Sequence, residues 1–222
     1  MLPSWRGFVF EKAEGKVMLI LHHSAASPYA RKVMVLLHET DQAEAVTLVP
    51  AAGNPVEPGS MPVGLNPLGK IPALERADGC TLYDSRVICR YLAARRPEGA
   101  LLYPPAPRLW EALTLEATAD GMLDAALAMR YEVLLRPEES RLQGWTGGQW
   151  AKITRSLDAL EARWMAHLAG PVCIGQIALG CALGYLDFRF ADRPWRDGRP
   201  ALSGWEGRFA LRPSMQATTP EG

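Results

Sequence analysis

Residues 27–32, with the sequence SPYARK, contain a serine placed where it could hold an anion. Ser27 and Pro28 come a few residues after a short apolar run. Serine is a preferred helix N-cap and proline favours the first helical position, so this pair predicts a helix that begins after Ser27. An N-cap side chain lies beside free backbone N–H groups at the positive end of the helix dipole, where a negative charge is stabilised. Taken alone, Ser27 is explained more simply as a helix cap.

A second segment, NPLGKIPAL at 66–74, places Pro72 at the start of a predicted strand. Proline has no N–H to donate to a sheet, so it belongs at a sheet edge or in a cis turn. A cis Ile71–Pro72 bond would leave the backbone of Ile71 free to pair with an extended peptide. The alternative is an ordinary edge-strand proline with no role in binding.

The third segment, YDSRVI at 83–88, begins another predicted helix. Ser85 and the amides that follow it could take a carboxylate, while Asp84 could pair with an amine. The alternative is a plain helix start, since both residues are common caps.

The elements around these segments predict a small α/β domain. Apolar runs at 17–23 and 45–49 are predicted strands, and with the helix after Ser27 they form a right-handed parallel β-α-β unit. Further strands are predicted at 71–76 and 81–83, joined by a hairpin turn at Asp78–Gly79.

The second half of the chain is predicted to be helical. Apolar residues recur at helical spacing across 109–135 and 149–168. A helix over 174–190 would be apolar on nearly all of its faces. The last pattern is typical of a central helix buried by its neighbours. Three tryptophans at apolar helical positions are predicted to belong to the core: Trp110, Trp150 and Trp164.

These patterns divide the chain into four parts. Residues 1–16 are an extension that we expect to be disordered, with either Met1 or Met18 as the true start. The α/β domain covers 17–96, a proline-rich linker covers 97–107, and an all-helical domain covers 108–222. The polar C-terminal stretch from Leu211 is expected to be frayed.

Composition excludes several classes of protein. The chain has 24 Lys plus Arg and 24 Asp plus Glu, so the net charge gives no sign of nucleic-acid binding. No apolar run approaches the roughly 18–20 residues of a membrane helix. The four cysteines contain no C-x-x-C pair, and Cys173 and Cys181 on one helix would be about 12 Å apart, too far to bridge. We therefore expect a cytoplasmic chain without a disulfide or a metal site.

Together, in this order and spacing, the three segments resemble the glutathione S-transferase superfamily, and the resemblance covers about residues 17–210. SPYA is similar to the C-P-Y-C of glutaredoxins with both cysteines replaced. NPLGKIPAL matches the family's cis-proline motif, N-P-x-G-K-[IV]-P-x-L. The family's γ-glutamyl motif, D-S-x-x-I-x-x-Y-L, is matched by Asp84, Ser85, Ile88, Tyr91 and Leu92. The helical segments look most like bacterial cytosolic members, here with a serine-type active site.

The resemblance implies a thioredoxin-like α/β domain followed by an all-α domain, with glutathione as co-substrate and no metal. Ser27 would donate a hydrogen bond to the glutathione sulfur, and Ser24 is the second choice for this role. The other glutathione-binding residues implied are Lys70, Ile71, Pro72, Asp84 and Ser85. The partner would be a small electrophilic molecule, and the family is generally homodimeric.

An acceptor pocket is expected between the domains, with Asp120, Met122 and Arg130 as candidates. The activity implied is transfer of glutathione to an electrophile. The alternatives are a glutathione-dependent isomerase or peroxidase, or a non-catalytic binding protein of the same family. One departure from the family is the central helix start, where Cys173 and Gln176 replace the usual Ser or Thr and Asp, so we expect a weaker cap.

Overall fold

The first domain is built on a sheet of four strands in the order β2-β1-β3-β4. A computed structural model describes residues 19–222, and the predicted extension at 1–16 and the choice of Met1 or Met18 as the start lie outside the described residues. The strands are β1 (Leu19–His23), β2 (Val46–Pro50), β3 (Ala73–Glu75) and β4 (Thr81–Leu82). β1 is parallel to β2 and antiparallel to β3, and β3 is antiparallel to β4.

Two helices complete this domain. α1 (Pro28–Glu39) connects the parallel strands, and α2 (Ser85–Ala93) follows the hairpin. The β-α-β unit and the hairpin predicted from the sequence are therefore confirmed. The hairpin strands are shorter than predicted, because Ile71 and Pro72 precede the paired part of β3.

The rest of the described chain is helical, as predicted. Its helices are α3 (Gly99–Leu102), α4 (Arg108–Leu135), α5 (Gln143–Arg163), α6 (Met165–Leu168), α7 (Ile174–Arg189), α8 (Pro200–Phe209) and α9 (Pro213–Gln216). α7 packs against α4 and α1 and is buried along most of its length, so the predicted central helix is confirmed. A Cβ at Gly175 would lie 2.7 Å from the carbonyl oxygen of Ala112, so the close approach of α7 to α4 requires a glycine there.

Several sequence predictions about the helical half are wrong in detail. The predicted linker at 97–107 contains the short helix α3. α5 begins at Gln143, six residues before the predicted start at 149. Its first turns consist mainly of glycine and polar residues, so they lack the helical spacing of apolar residues from which the start was predicted. Trp110 is 63% exposed rather than buried, since it lies on the outer side of the first turn of α4.

The C-terminal stretch is ordered rather than frayed, because α9 is fastened to the end of α1. The guanidinium of Arg212 donates to Glu39 at 2.6 Å, the hydroxyl of Ser214 donates to the same carboxylate, and Met215 is buried. Burial opposes ionisation of Glu39, but the bonds from Arg212 and Ser214 outweigh it and hold the pKa of Glu39 below its ordinary value. The polar composition of the C-terminal stretch therefore gave no sign of its specific contact with α1.

The described helices and cysteines bear on membrane insertion and on disulfide bonding. Along residues 19–222, no helix has the length and apolar character needed to cross a membrane. All four cysteines of the chain lie within these residues and are free thiols there.

Candidate functional site

The sheet brings the three predicted segments to one end of the first domain. His22 of β1 pairs with Ala73 of β3, so the loop that follows β1 lies beside the residues that precede β3. Leu74 pairs with Leu82 of β4, so the start of α2 leaves the sheet at that same end. Residues far apart in the sequence therefore surround one place at the N-termini of α1 and α2.

Ser27 is the N-cap of α1, as predicted. Its backbone is extended, with φ −84° and ψ 117°, and its Oγ accepts a hydrogen bond from the Ala30 N–H at 3.2 Å. Because the oxygen is the acceptor in this bond, the hydroxyl hydrogen is free to be donated to an anion at the helix terminus.

Ser24 lies in the turn before α1, and its Oγ accepts from the Ala26 N–H at 3.3 Å. It too keeps a free hydroxyl hydrogen. The two serines differ in that Ser27, and not Ser24, caps the helix.

Ile71 offers an unpaired stretch of backbone. The Ile71–Pro72 bond is cis, as predicted, and Pro72 is buried. Within residues 19–222, neither the N–H nor the carbonyl of Ile71 takes part in a hydrogen bond. This backbone is therefore available to an extended peptide ligand.

Asn66 shapes the loop before Ile71, a role that sequence reasoning missed. Its side chain is 2% exposed; the amide nitrogen donates to the Lys70 carbonyl at 2.8 Å and the amide oxygen accepts from the Leu68 N–H at 3.1 Å. These bonds leave the Lys70 side chain exposed. The usable signal was Asn followed by Pro and Gly, which is typical of a turn whose asparagine bonds its own backbone.

Asp84 is the N-cap of α2 and carries a charge held in place by Arg86. Its carboxylate accepts from the Arg86 N–H at 3.0 Å and pairs with the Arg86 guanidinium at 2.8 Å. Burial opposes ionisation, but the hydrogen bonds and charge of Arg86 outweigh it and keep the pKa of Asp84 below its ordinary value. The neighbouring Ser85 is 2% exposed and forms no side-chain hydrogen bond with another described residue. The pair is therefore equipped for a ligand that carries both an amine and a carboxylate.

A buried ion cluster joins this site to the second domain. The Nζ of Lys32 lies 2.8 Å from Asp120 and 3.1 Å from Glu116, and the lysine side chain is fully buried. Burial raises the pKa of both carboxyls. Burial also opposes the positive charge on Lys32, but the negative charges around that residue outweigh this effect and keep its pKa above the ordinary value. The Nε of Arg86 lies 3.7 Å from Asp120, so the cluster reaches the α2 cap. Sequence reasoning missed Lys32, since a lysine inside a helix is usually solvated.

Two of the three residues predicted for the acceptor pocket are buried. The carboxylate of Asp120 is engaged by Lys32 and the residue is 6% exposed, while Met122 is 1% exposed within the core. The helical phase of α4 could not show which of its faces meets α7. Arg130 lies on the later part of α4, half-buried near Tyr185 of α7, and its role stays a prediction.

Among the described residues, no cluster of three His, Cys, Asp or Glu side chains could hold a metal ion. The arrangement instead supplies hydroxyl donors, free backbone groups and one carboxylate. Groups of these kinds are suited to a small peptide-like ligand that carries an anion.

Comparison with known proteins places this site in a family. The family model for the N-terminal domain of glutathione S-transferases matches residues 26–95, and the model for the C-terminal domain matches residues 121–208. The chain is 31% identical over 199 residues to YibF of Escherichia coli (strain K12), an uncharacterized GST-like protein, with 89% of this chain and 96% of YibF covered.

Two solved structures from Pseudomonas fluorescens Pf-5 are similar over nearly the whole chain. A glutathione transferase family member with bound glutathione is 47% identical with a TM-score of 0.89, covering 92% of this chain and 100% of that one. A family member from the same source with bound S-(propanoic acid)-glutathione is also 47% identical, with a TM-score of 0.85 and 91% and 100% covered. The chain therefore belongs to the glutathione S-transferase family.

Proposed function

We propose that this protein is a glutathione transferase that holds glutathione as a thiolate and transfers it to a small electrophile. The observation that carries the proposal is the Ser27 hydroxyl, whose hydrogen is free at the N-terminus of α1. Glutathione bound to the Pseudomonas relative supports the choice of thiol.

Each part of the tripeptide has a matching group at the site. The backbone of Ile71 pairs with the cysteinyl unit, supported by Pro72, because its hydrogen-bonding groups are unused within residues 19–222. The carboxylate of Asp84 takes the γ-glutamyl ammonium, and Ser85 with the following amides takes the carboxylate. The ammonium of Lys70, which is exposed, pairs with the remaining carboxylate of the ligand.

To act as proposed, the protein must lower the pKa of the glutathione thiol. A free thiol has a pKa near 8.5, so only a few per cent is thiolate at neutral pH. Donation from Ser27, together with the helix terminus, would have to lower that pKa by about two units, which corresponds to ~2.7 kcal/mol. Ser27 itself stays neutral and forms no covalent bond with the substrate.

The thiolate then attacks an electrophilic carbon and forms a thioether. The ligand of the second Pseudomonas structure is such a thioether, glutathione carrying propanoic acid on sulfur, which supports conjugation over isomerisation or peroxide reduction. In this proposal the electrophile approaches Ser27 from the side of the loop that follows β1, which meets the turns of α4 around Asp124 through Tyr29.

We further propose that the protein acts as a homodimer. The family resemblance supports this, since the family is generally homodimeric, and Trp110 at the start of α4, which is 63% exposed, is a candidate for the covered surface. Light scattering after size exclusion should then give twice the 24.3 kDa mass of one chain. A mass of one chain at micromolar concentration would contradict the dimer.

Titration with glutathione, followed by difference absorbance in the thiolate band, tests the proposal. The parent protein should give a thiolate signal at pH 7, and Ser27→Ala should bind glutathione but lose most of that signal. Ser24→Ala is the matched control and should keep it. Binding without a thiolate signal in the parent would indicate the non-catalytic binding protein, and absence of binding would overturn the proposal altogether.

A further inference from the structure

We propose that Tyr29 activates the glutathione thiol together with Ser27. Its backbone N–H is the second hydrogen-bond donor to the sulfur, and its side chain holds that N–H in place by bonding Asp124 of α4. This inference rests on the proposed function, because it concerns the same sulfur. It gives the second domain a part in thiol activation.

One backbone N–H in the first turn of α1 is unused within residues 19–222. A helix leaves its first four N–H groups without partners inside the helix, so each needs an acceptor elsewhere. The Ser27 N–H donates to the Ser24 carbonyl at 3.0 Å, and Pro28 has no N–H. The Ala30 N–H donates to the Ser27 Oγ at 3.2 Å. The Tyr29 N–H is the remaining one, and with no acceptor in that part of the chain it is available to a ligand.

A free N–H at this position suits the sulfur of glutathione. The first N–H groups of a helix point out of its N-terminus, toward the side where Ser27 donates its hydroxyl hydrogen. A thiolate sulfur accepts bonds from both donors, and each bond favours the charged form and so lowers the pKa of the thiol. Glutathione is the ligand bound to the similar Pseudomonas protein, which supports a thiol at this terminus.

The side chain of Tyr29 has a different part. Its hydroxyl donates to the carboxylate of Asp124, and a phenol has one hydrogen to donate, so the sulfur cannot receive it. Burial and the Asp124 carboxylate raise the pKa of Tyr29, so this donor stays protonated at neutral pH. Tyr29 therefore anchors the turn through its side chain, and only its backbone reaches the sulfur.

The anchor acts on the turn that carries the two donors. The next side-chain bond along α1 joins Lys32 to Asp120 at 2.8 Å, nearly one turn further from the cap. Tyr29 lies two residues after Ser27, so within the described chain its bond to Asp124 is the hydrogen bond between α1 and α4 that is nearest to the donors. Hydrogen bonds weaken steeply as their angle departs from linear, so a small rotation of this turn would weaken donation to the sulfur.

Tyr29→Phe tests the anchor, because it removes the hydroxyl and keeps the ring. The thiol pKa of bound glutathione, followed by thiolate absorbance against pH, should rise by about 0.5 to 1 unit, since the donors are held less firmly. In an Asp124→Ala background, Tyr29→Phe should have no further effect, because the bond is already absent. Tyr103→Phe is the matched control and should keep the parent's thiol pKa, since the Tyr103 hydroxyl is buried without a partner among the described residues.

The backbone donor is tested by an amide-to-ester exchange at Tyr29, made by incorporating the α-hydroxy acid of tyrosine. This exchange replaces the N–H by an oxygen and keeps the side chain with its bond to Asp124. We expect the thiol pKa of bound glutathione to rise by about one unit, and to rise further when the exchange is combined with Ser27→Ala. The same exchange at Tyr103 is the control and should leave the thiol pKa unchanged.

An unchanged thiol pKa in the ester variant or in Tyr29→Phe would overturn this inference and leave the proposed function standing. A Tyr29→Phe effect that persists in full without Asp124 would overturn it as well. The unfolding temperature, and the affinity for glutathione at low pH, where it is bound as the thiol, should stay close to the parent's, which separates donation to the sulfur from a disturbed fold. Absence of a thiolate signal in the parent itself would count against the proposed function.

Discussion

The ammonium of Lys32 in α1 lies 2.8 and 2.9 Å from the two carboxylate oxygens of Asp120 in α4, out of contact with solvent. This contact spans the boundary between the two domains and lies directly behind the α2 cap. Through Arg86 it is connected to Asp84, the carboxylate proposed to bind the amine of glutathione. Domain packing and ligand binding therefore share one set of charges.

Lys32→Met should destabilise the protein by about 3–5 kcal/mol, because Glu116 and Asp120 would remain buried without a positive partner. The loss should shrink as the pH falls toward 5, since the two carboxyls can then take up protons. Urea unfolding at pH 7 and pH 5 measures both effects. The triple variant with Glu116→Gln and Asp120→Asn should recover much of the stability, and a loss below about 1 kcal/mol in Lys32→Met would contradict this view.

Arg86→Gln should weaken glutathione binding, and increasingly so at low pH. The pKa of Asp84 is now held down by Arg86, so removing the guanidinium lets the carboxyl take a proton at a higher pH. Glutathione dissociation constants measured from pH 7 to pH 4 should therefore diverge between variant and parent as the pH falls. Parallel curves would show that Arg86 does not set the charge of Asp84.

Glu39→Gln should loosen α9 from α1 and lower stability by about 1–2 kcal/mol at pH 7, because Glu39 accepts bonds from Arg212 and Ser214. The folded-state pKa of Glu39 is lowered, so its contribution is complete above its ordinary pKa and is lost as the pH falls through the lowered one. Thermal unfolding of parent and variant should therefore differ at pH 7, and the difference should shrink as the pH falls below the ordinary glutamate pKa and vanish below the lowered one. Arg208→Gln, an exposed arginine of α8, is the control and should show no such convergence.

Local backbone chemistry explains what could be read from the sequence. Ser27 and Pro28, Pro72 and Asp84 each act within a few residues of their own position, so a cap or a turn could be predicted without the rest of the fold. The order of strands then fixed where these segments meet. The roles of the individual residues in binding stay predictions, because they depend on a ligand.

The acceptor region could not be predicted in the same way. Its composition depends on the rotation of α4 against α7, and helical phase alone did not show that Met122 faces inward while Trp110 faces outward. Lys32 lies inside an amphipathic helix, so it resembles an ordinary surface charge in the sequence. A usable signal was the four-residue spacing of Glu116 and Asp120, which puts two carboxylates on one face of α4.

Cys173→Ser should stabilise the protein by about 1 kcal/mol, because serine is a better N-cap than cysteine. Cys173 is the N-cap of α7, and both halves of a capping box are present: the Gln176 Oε1 accepts from the Cys173 N–H at 2.7 Å, and the Cys173 sulfur accepts from the Gln176 N–H. The thiol faces the backbone N–H groups of the first turn, and burial raises its pKa, so it stays protonated and is a weak acceptor there. A hydroxyl oxygen at this position would accept the same bond more strongly.

Cys181→Ser is the matched control, since it makes the same exchange in the middle of the same helix. Cys181 is fully buried, burial raises its pKa to about 11, and it lies in the middle of α7, where the backbone N–H groups are already used within the helix and cannot donate to a hydroxyl oxygen. This second variant should therefore be neutral or less stable than the parent, because it buries a polar group in an apolar place. Thermal unfolding of the two variants separates a capping effect from a general effect of removing a thiol, and an equal change in both would show that the cap is not the cause.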